Sequence, residues 1–315
     1  MDKTYIVQAS RTPIGSFGGQ LSTFSAPELG SFVIKEIMTK AGLDRQIVEE
    51  VIIGNVLSAG IGQGPSRQAA LLSDLPDRVE CFTVNKMCGS GLKAVMLADQ
   101  AIRMNTAQVI IAGGIESMSN APYLVPKTLG RFGHKKMIDS MIHDGLWDAY
   151  NNMHMGNCAE MLVTKRGYTR QNQDKYSIQS YKRAQMAQDK GYFSDEIVPI
   201  KSANGLLLDY DEEPTKAQYE KIPIIRPVFD KNGTITAANA SKLNDGAAAV
   251  MLMSKENLQK HNIKPMARIL SHCSFAHEPK WFTAAPRHAI KKVLKQAGLV
   301  KSDIDLWEIN EAFAV

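Results

Sequence analysis

The chain has 315 residues, 44% hydrophobic and 22% charged, with a net charge of +5. That length predicts two or three domains, and the composition is ordinary for a soluble globular protein. No apolar run approaches a membrane span. Lys and Arg are scattered and form no nucleic-acid-binding tail, so the excess charge reads either as solvated surface or as a basic lip for an anionic small ligand.

Elements alternate over the first 118 residues. "TYIVQA" predicts a strand, and Ser25 caps a helix from Pro27 to Ala41 that Gly42 ends. "VEEVIIGNVL" predicts a strand, "SRQAALLS" a short helix, "CFTVN" a strand, Gly89 to Met104 a long helix, and "AQVIIAGGIES" a buried strand. Such alternation implies a mainly parallel sheet covered on both faces. From Ser119 to Ala240 the chain turns polar and includes a charged helix, "QNQDKYSIQSYKRAQMAQDKG", as an inserted excursion would. "DGAAAVMLMS" then predicts a returning strand, followed by the helix "KENLQKH". Another unit starts near Pro265 with strand "ARILSHCSFA", helix "PRHAIKKVLKQAGL" and strand "IDLWEINEAF".

An internal echo links "AGLDRQIVEEVIIGN" to "AGLVKSDIDLWEIN", each running from a helix end through a polar loop and a strand to Asn55 or Asn310. After Asn55 the first copy continues for about sixty residues, whereas five follow Asn310, so the second half is expected to be incomplete. The counterpart of the Cys88 turn is expected about thirty residues beyond Asn310.

Cys81, Cys88, Cys158 and Cys273 form no CxxC pair and no zinc-spaced cluster. This predicts neither a disulfide framework nor a structural metal, and fits a reducing compartment. "MDKTYIVQASRTP" has neither a signal-peptide apolar region nor an Arg-rich presequence, so a cytoplasmic location is expected.

Cys88 sits where a strand hands over to a helix, in "TVNKMCGSGLKAVMLADQAI". The positive helix end and the unpaired first-turn N–H groups favour a thiolate, the nucleophilic form. Gly89 and Gly91 permit a sharp turn and close approach by an acyl group, and the N–H groups can hold an oxyanion. The following helix is apolar on nearly every side, which predicts that it is buried and points the thiol inward. On spacing alone a nucleophile and an inert structural cysteine both remain open. "VIIGNVLSAGIGQGPSRQAA" invites a dinucleotide reading, but its spacing is not G-x-G-x-x-G, and Glu80 precedes its strand. A tight loop placing Arg67 at a contact surface is the better reading.

Together "SRTPIGSFGG", "GQGPSRQAAL", "VNKMCGSGLKAV", "IIAGGIESMSNAPY", "MHMGNCAE", "TAANASKLNDGAAAV" and "NEAFAV" resemble the thiolases, specifically the short-chain acetyl-CoA acetyltransferase type. The resemblance implies an α/β fold with five alternating layers, α-β-α-β-α, made of duplicated mixed-sheet halves, the second incomplete here. The implied division is residues 1–118 plus 242–264 as the N-terminal domain, 119–241 as an inserted coenzyme A-binding loop domain, and 265–315 as a partial C-terminal domain. The implied reaction is thiolysis or Claisen condensation of acetyl-CoA and acetoacetyl-CoA through an acyl-cysteine, with coenzyme A thioesters as substrates and no tightly bound cofactor.

By position, Cys88 matches the nucleophile and Asn310 the residue that holds a water in an oxyanion hole. His154 and Met155 match the coenzyme A and thioester path. Phe229, Ala237 and Ser241 match positions along pantetheine and adenine, and Phe282, Ala312 and Phe313 match the acyl-pocket wall. Lys221 matches a basic residue near the coenzyme A phosphates. Tyr181 and the backbone of Ala237, Ala238 and Ala240 resemble a potassium site of some mitochondrial-type members. Pro214 stands where members often carry Tyr or Arg. The segment from Pro122 to Asp148 resembles a tetramer-forming loop, so a homo-oligomer, dimer or tetramer, is implied; neither nucleic acid nor membrane is expected as a partner.

The family's second half also supplies a G-H-P histidine and a C-x-G cysteine, and neither motif occurs in the 315 residues. The chain is therefore expected to be a fragment or truncated form that lacks normal turnover. A non-catalytic acyl-CoA-binding or scaffold protein is the alternative from another class. A ketoacyl-synthase relative on the same fold is the third, and it fits "MHMG" and "NEAF" poorly.

Overall fold

The computed structural model describes residues 3–128, 132–202 and 205–315. Its principal elements in chain order are β1 (Thr4–Arg11), α1 (Ala26–Ala41), β2 (Glu50–Gly54), α2 (Pro65–Leu72), β3 (Glu80–Val84), α3 (Ser90–Arg103), β4 (Val109–Ser117), α4 (Met155–Arg166), α5 (Arg170–Asp189), β5 (Asn244–Ser254), α6 (Lys255–Lys260), β6 (Ala267–Arg268) and α7 (Ala285–Ala297). Contacts divide the chain into two compact units, Met1–Gly145 with Gly191–Glu213 and Leu243–Ile269, and Leu146–Lys190 with Pro214–Lys242 and Leu270–Val315. Residues 119–241 are thus shared between the units instead of forming one body of their own.

The first unit is built on a sheet of order β6-β1-β5-β4-β2-β3, with the two-residue strand Gly15–Ser16 paired to β5. β2 runs parallel to both β3 and β4, as βαβ crossovers require. β5 is antiparallel to β4 and β1, and β6 is antiparallel to β1. The sheet is therefore mixed, not mainly parallel. β5 enters after the long excursion from Ser117 to Asn244, with no single crossover helix to fix its direction.

Side-chain alternation sends β2 to both faces. Val51 and Ile53 pack with Leu29, Val33, Ile34 and Ile37 of α1 and Ala69 and Ala70 of α2. Ile52 packs on the other face with Ala94, Ala98 and Ile102 of α3. Each such fully buried aliphatic side chain contributes about 1.5–3 kcal/mol. α1 begins as expected, with a Ser25–Glu28 capping box and Pro27 in its first turn, and Gly42 ends it at φ 63°.

Of two expected strands, one forms over two residues only and the other does not form among the described residues. Of "ARILSHCSFA" only Ala267–Arg268 pairs, against Tyr5 and Ile6, and "IDLWEINEAF" is irregular. A strand needs a neighbour for its N–H and C=O groups. Among the described residues Ile304–Ile309 has none, and Leu306 is left 89% exposed.

Candidate active site

In the first unit, the backbone around Cys88 is clamped at the C-terminal ends of parallel strands, where α/β folds place their ligands. Gly54 ends β2, and a Cβ there would fall 2.3 Å from the Ser90 carbonyl carbon and 2.5 Å from the Gly91 nitrogen. Gly91 in turn faces Gly114 of β4, a Cβ on Gly91 lying 3.4 Å from the Gly114 Cα. Three glycines therefore let the start of α3 sit directly on the strand ends, with no side chain between.

Ser90 ties the turn that carries Cys88. The Lys86 N–H donates to Ser90 Oγ at 2.8 Å, and that hydroxyl donates to the Met87 carbonyl at 2.6 Å. Asn85 Oδ1 accepts from the Met87 N–H at 3.0 Å, and Met87 itself holds φ 50°, a left-handed conformation rarely adopted by a residue with its bulk. Neither Ser90 nor Asn85 was singled out from sequence. A serine two residues after the nucleophile, at the helix start, was the available signal.

The expected burial of Cys88 is corrected. Cys88 is exposed, whereas Cys158 is buried and Cys81 and Cys273 are intermediate. α3 buries Ala94, Ala98 and Ile102 but leaves Leu92 70% exposed. Beside it runs a groove of about 460 Å³ lined by Leu92, Val95, Ala112, Ala248 and Val250. An all-round apolar helix sequence thus covers the sheet with one face only, and the thiol stands open at its end.

Arg67 follows a tight loop, as expected. Its guanidinium donates to the carbonyls of Val79 and Asp77, each at 2.7 Å, so it braces the loop into β3. The preceding loop turns on Gly60, Gly62 and Gly64, all at positive φ.

The second unit gathers most of the other expected residues. His154 caps α4, its Nδ1 accepting from the Gly156 N–H at 3.1 Å, and Met155 is the first helical residue. The Phe229 ring lies 4.6 Å from the His154 ring and covers Gly156, where a Cβ would meet the ring at 2.2 Å. Burial lowers the His154 pKa, favouring the neutral ring. Phe313 lies 6.4 Å from Phe229 and 6.3 Å from Phe282, edge to face in both cases. The Ser241 N–H donates to the Ala312 carbonyl at 2.9 Å, and Ala240 bridges to Phe313. His154, Phe229, Ser241, Phe282, Ala312 and Phe313 are therefore brought together around one partly apolar wall.

Asn310 is exposed and irregular. Its neighbour Glu311, not assigned from sequence, is held by α5: the Tyr176 hydroxyl donates to one carboxylate oxygen at 2.7 Å and the Ser180 hydroxyl to the other at 2.5 Å. The bond to Glu311, with some burial, pushes the Tyr176 pKa up to about 12. Cys158 donates across 3.8 Å to Asp148, and burial with that carboxylate pushes its thiol to about 11. Such a thiol is inert at neutral pH.

Tyr181, Lys221, Ala237 and Ala238 share a cavity of about 270 Å³ with Lys216 and Lys242. The turn above it is fixed by Asn239, which accepts from the Thr236 N–H and donates to Asp174, itself paired to Arg170. One of the expected potassium donors, the Ala237 carbonyl, is already engaged. The Lys242 ammonium already donates to the Ala237 carbonyl at 2.9 Å and lies 5.8 Å over the Tyr181 ring. Among the described residues no group of three His, Cys, Asp or Glu could hold a metal ion, and no helix is long and apolar enough to cross a membrane.

Comparison with known proteins matches residues 4–256 to the thiolase N-terminal domain and residues 263–315 to the thiolase C-terminal domain. The chain belongs to the thiolase family. It is 47% identical over 320 residues to the mitochondrial acetyl-CoA acetyltransferase of Rattus norvegicus, covering all of this chain and 76% of that one. It is 45% identical to the acetyl-CoA acetyltransferase of Schizosaccharomyces pombe, covering 99% and 81%. Among solved structures, the Acat5 thiolase from Ascaris suum in complex with coenzyme A superposes with a TM-score of 0.96 at 44% identity, covering 99% and 81%.

Proposed function

We propose that this chain transfers short acyl groups between coenzyme A thioesters as an acetyl-CoA C-acetyltransferase. The observation that carries the reading is the clamped turn, which holds an exposed thiol at the start of a 14-residue helix. The Cys88 thiolate attacks the thioester carbonyl, the new C–S bond forms as the bond to coenzyme A breaks, and the departing thiolate takes a proton. The developing oxyanion is assigned to backbone N–H groups of the Cys88 turn; those of Gly89, Ser90 and Lys93 are already spent on the Lys86, Met87 and Gly89 carbonyls, so the expected unpaired first turn is only partly present. Relatives named acetyl-CoA acetyltransferase and a thiolase neighbour in complex with coenzyme A support the substrate class.

His154, Met155, Phe229, Ala237, Ser241 and Lys221 are assigned to coenzyme A, Phe282, Ala312 and Phe313 to the acyl wall, and Asn310 to an oxyanion water. Residues 119–241 are assigned to coenzyme A binding and oligomer formation. The exposed side chains of Tyr123, Val125, Phe132 and Met137 support a homo-oligomer, and residues 129–131 of that arm lie outside the described residues. Four free cysteines suit a reducing compartment, for which we propose the cytoplasm. The mitochondrial name of the rat relative sets the competing location, and cell fractionation separates the two.

The test is incubation with acetyl-CoA followed by intact-mass and peptide analysis. One acetyl group on Cys88, absent from Cys88→Ser, is expected. Binding of coenzyme A without any adduct would instead support the acyl-CoA-binding reading.

A further inference from the structure

The turn from Thr236 to Ala240 carries its own cation. Ala238 and Asn239 are buried, and the Ala240 N–H folds back on the Thr236 carbonyl at 3.0 Å. This tight reversal leaves the Ala237 carbonyl turned toward the cavity, where the Lys242 ammonium meets it at 2.9 Å. The same ammonium lies over the Tyr181 ring, whose negative face attracts it. The ammonium brings a full positive charge to the Ala237 carbonyl and the Tyr181 face, groups that would otherwise attract a free monovalent cation.

We propose that Lys242 replaces a free monovalent cation at this turn, so that the protein holds its 237–241 loop without potassium. Lys216 and Lys221 line the same cavity as Lys242. A tethered ammonium also loses less freedom on docking than a free ion does. Lys242 is a positioning residue. Its bond to Ala237 steadies the backbone that leads into Ser241, whose N–H reaches Ala312.

Thermal melting in potassium, sodium and tetramethylammonium chloride at equal ionic strength tests this without any acyl-CoA, so its failure and that of the acyl-transfer reading are distinguishable. The wild type is expected to melt at one temperature in all three salts. Lys242→Thr is expected to melt about 2–4 °C lower in tetramethylammonium and to recover in potassium but not in tetramethylammonium, while Lys242→Arg stays close to the wild type. A potassium-specific rise in the wild type, which needs no variant, would overturn the proposal. So would a Lys242→Thr protein that melts like the wild type or that potassium does not restore. Should Lys242→Thr fail to fold, Lys242→Met is read by the same criteria.

Discussion

Gly54 and Ser90 meet backbone to backbone, so closely that a methyl group on Gly54 would overlap the Ser90 carbonyl carbon at 2.3 Å. The contact sets the height of α3 above the strand ends and therefore the position of Cys88. Gly54→Ala must push β2 and α3 apart, since backbone on both sides cannot yield by a rotamer change. A loss of about 1–3 kcal/mol is expected from the urea midpoint, together with slower acetylation of Cys88. Unchanged stability and acetylation would show that the clamp does not position the thiol.

The four cysteines should separate by reactivity. Cys88 is exposed, while Cys158 is fully buried with a pKa near 11. Iodoacetamide at neutral pH is expected to alkylate Cys88 first and to leave Cys158 unmodified until denaturant is added, as peptide mapping would record. Modification of the other three with Cys88 spared would remove the basis for a nucleophile there.

His154 should titrate below the ordinary histidine value, because the Phe229 ring and its surroundings withhold water from the charged form. A histidine whose folded pKa is depressed leaves the unfolded chain binding more protons, so stability is lost as pH falls from about 6.5 through the folded pKa. NMR titration of the His154 ring checks the midpoint. Phe229→Ala is expected to move it back up, and an unmoved midpoint would assign the shift to another cause.

Tyr176 carries the opposite sign. Its pKa is raised to about 12 by Glu311. The stabilisation from this bond is therefore complete below the unfolded tyrosine pKa of about 10 and is lost as pH rises through about 12. Melting curves between those limits should fall more steeply for the wild type than for Tyr176→Phe. The effect is modest because Tyr176 is 44% exposed.

Turnover should be the weakest property of residues 1–315. Transfer of acetyl to Cys88 needs a nucleophilic thiol at the clamped turn, which the resemblance has a G-H-P histidine activate, and condensation also needs a base for the acetyl α-proton. The thiolase resemblance assigns this role to a C-x-G cysteine, and residues 1–315 contain no such motif. Single-turnover acetylation without a normal steady-state rate of acetoacetyl-CoA thiolysis is expected. A clean steady-state rate would show that another residue serves as the base.

Local signals were strong enough for the sequence to determine α1 with its Ser25 and Gly42 ends, the βαβ run to Ser117, and a cysteine at a helix start. Each depends on neighbours within a few residues, through capping, periodicity and glycine turns. The thiolase motifs added the family. What only the tertiary structure decided depends on partners distant in the chain. The antiparallel entry of β5, the lack of a strand partner for Ile304–Ile309 among the described residues, the open face of α3, the hold of Arg67 on the loop into β3 and the grip of α5 on Glu311 are all of this kind. Strand direction, burial and hydrogen-bond partnership are properties of pairs, and a linear pattern names only one member of each.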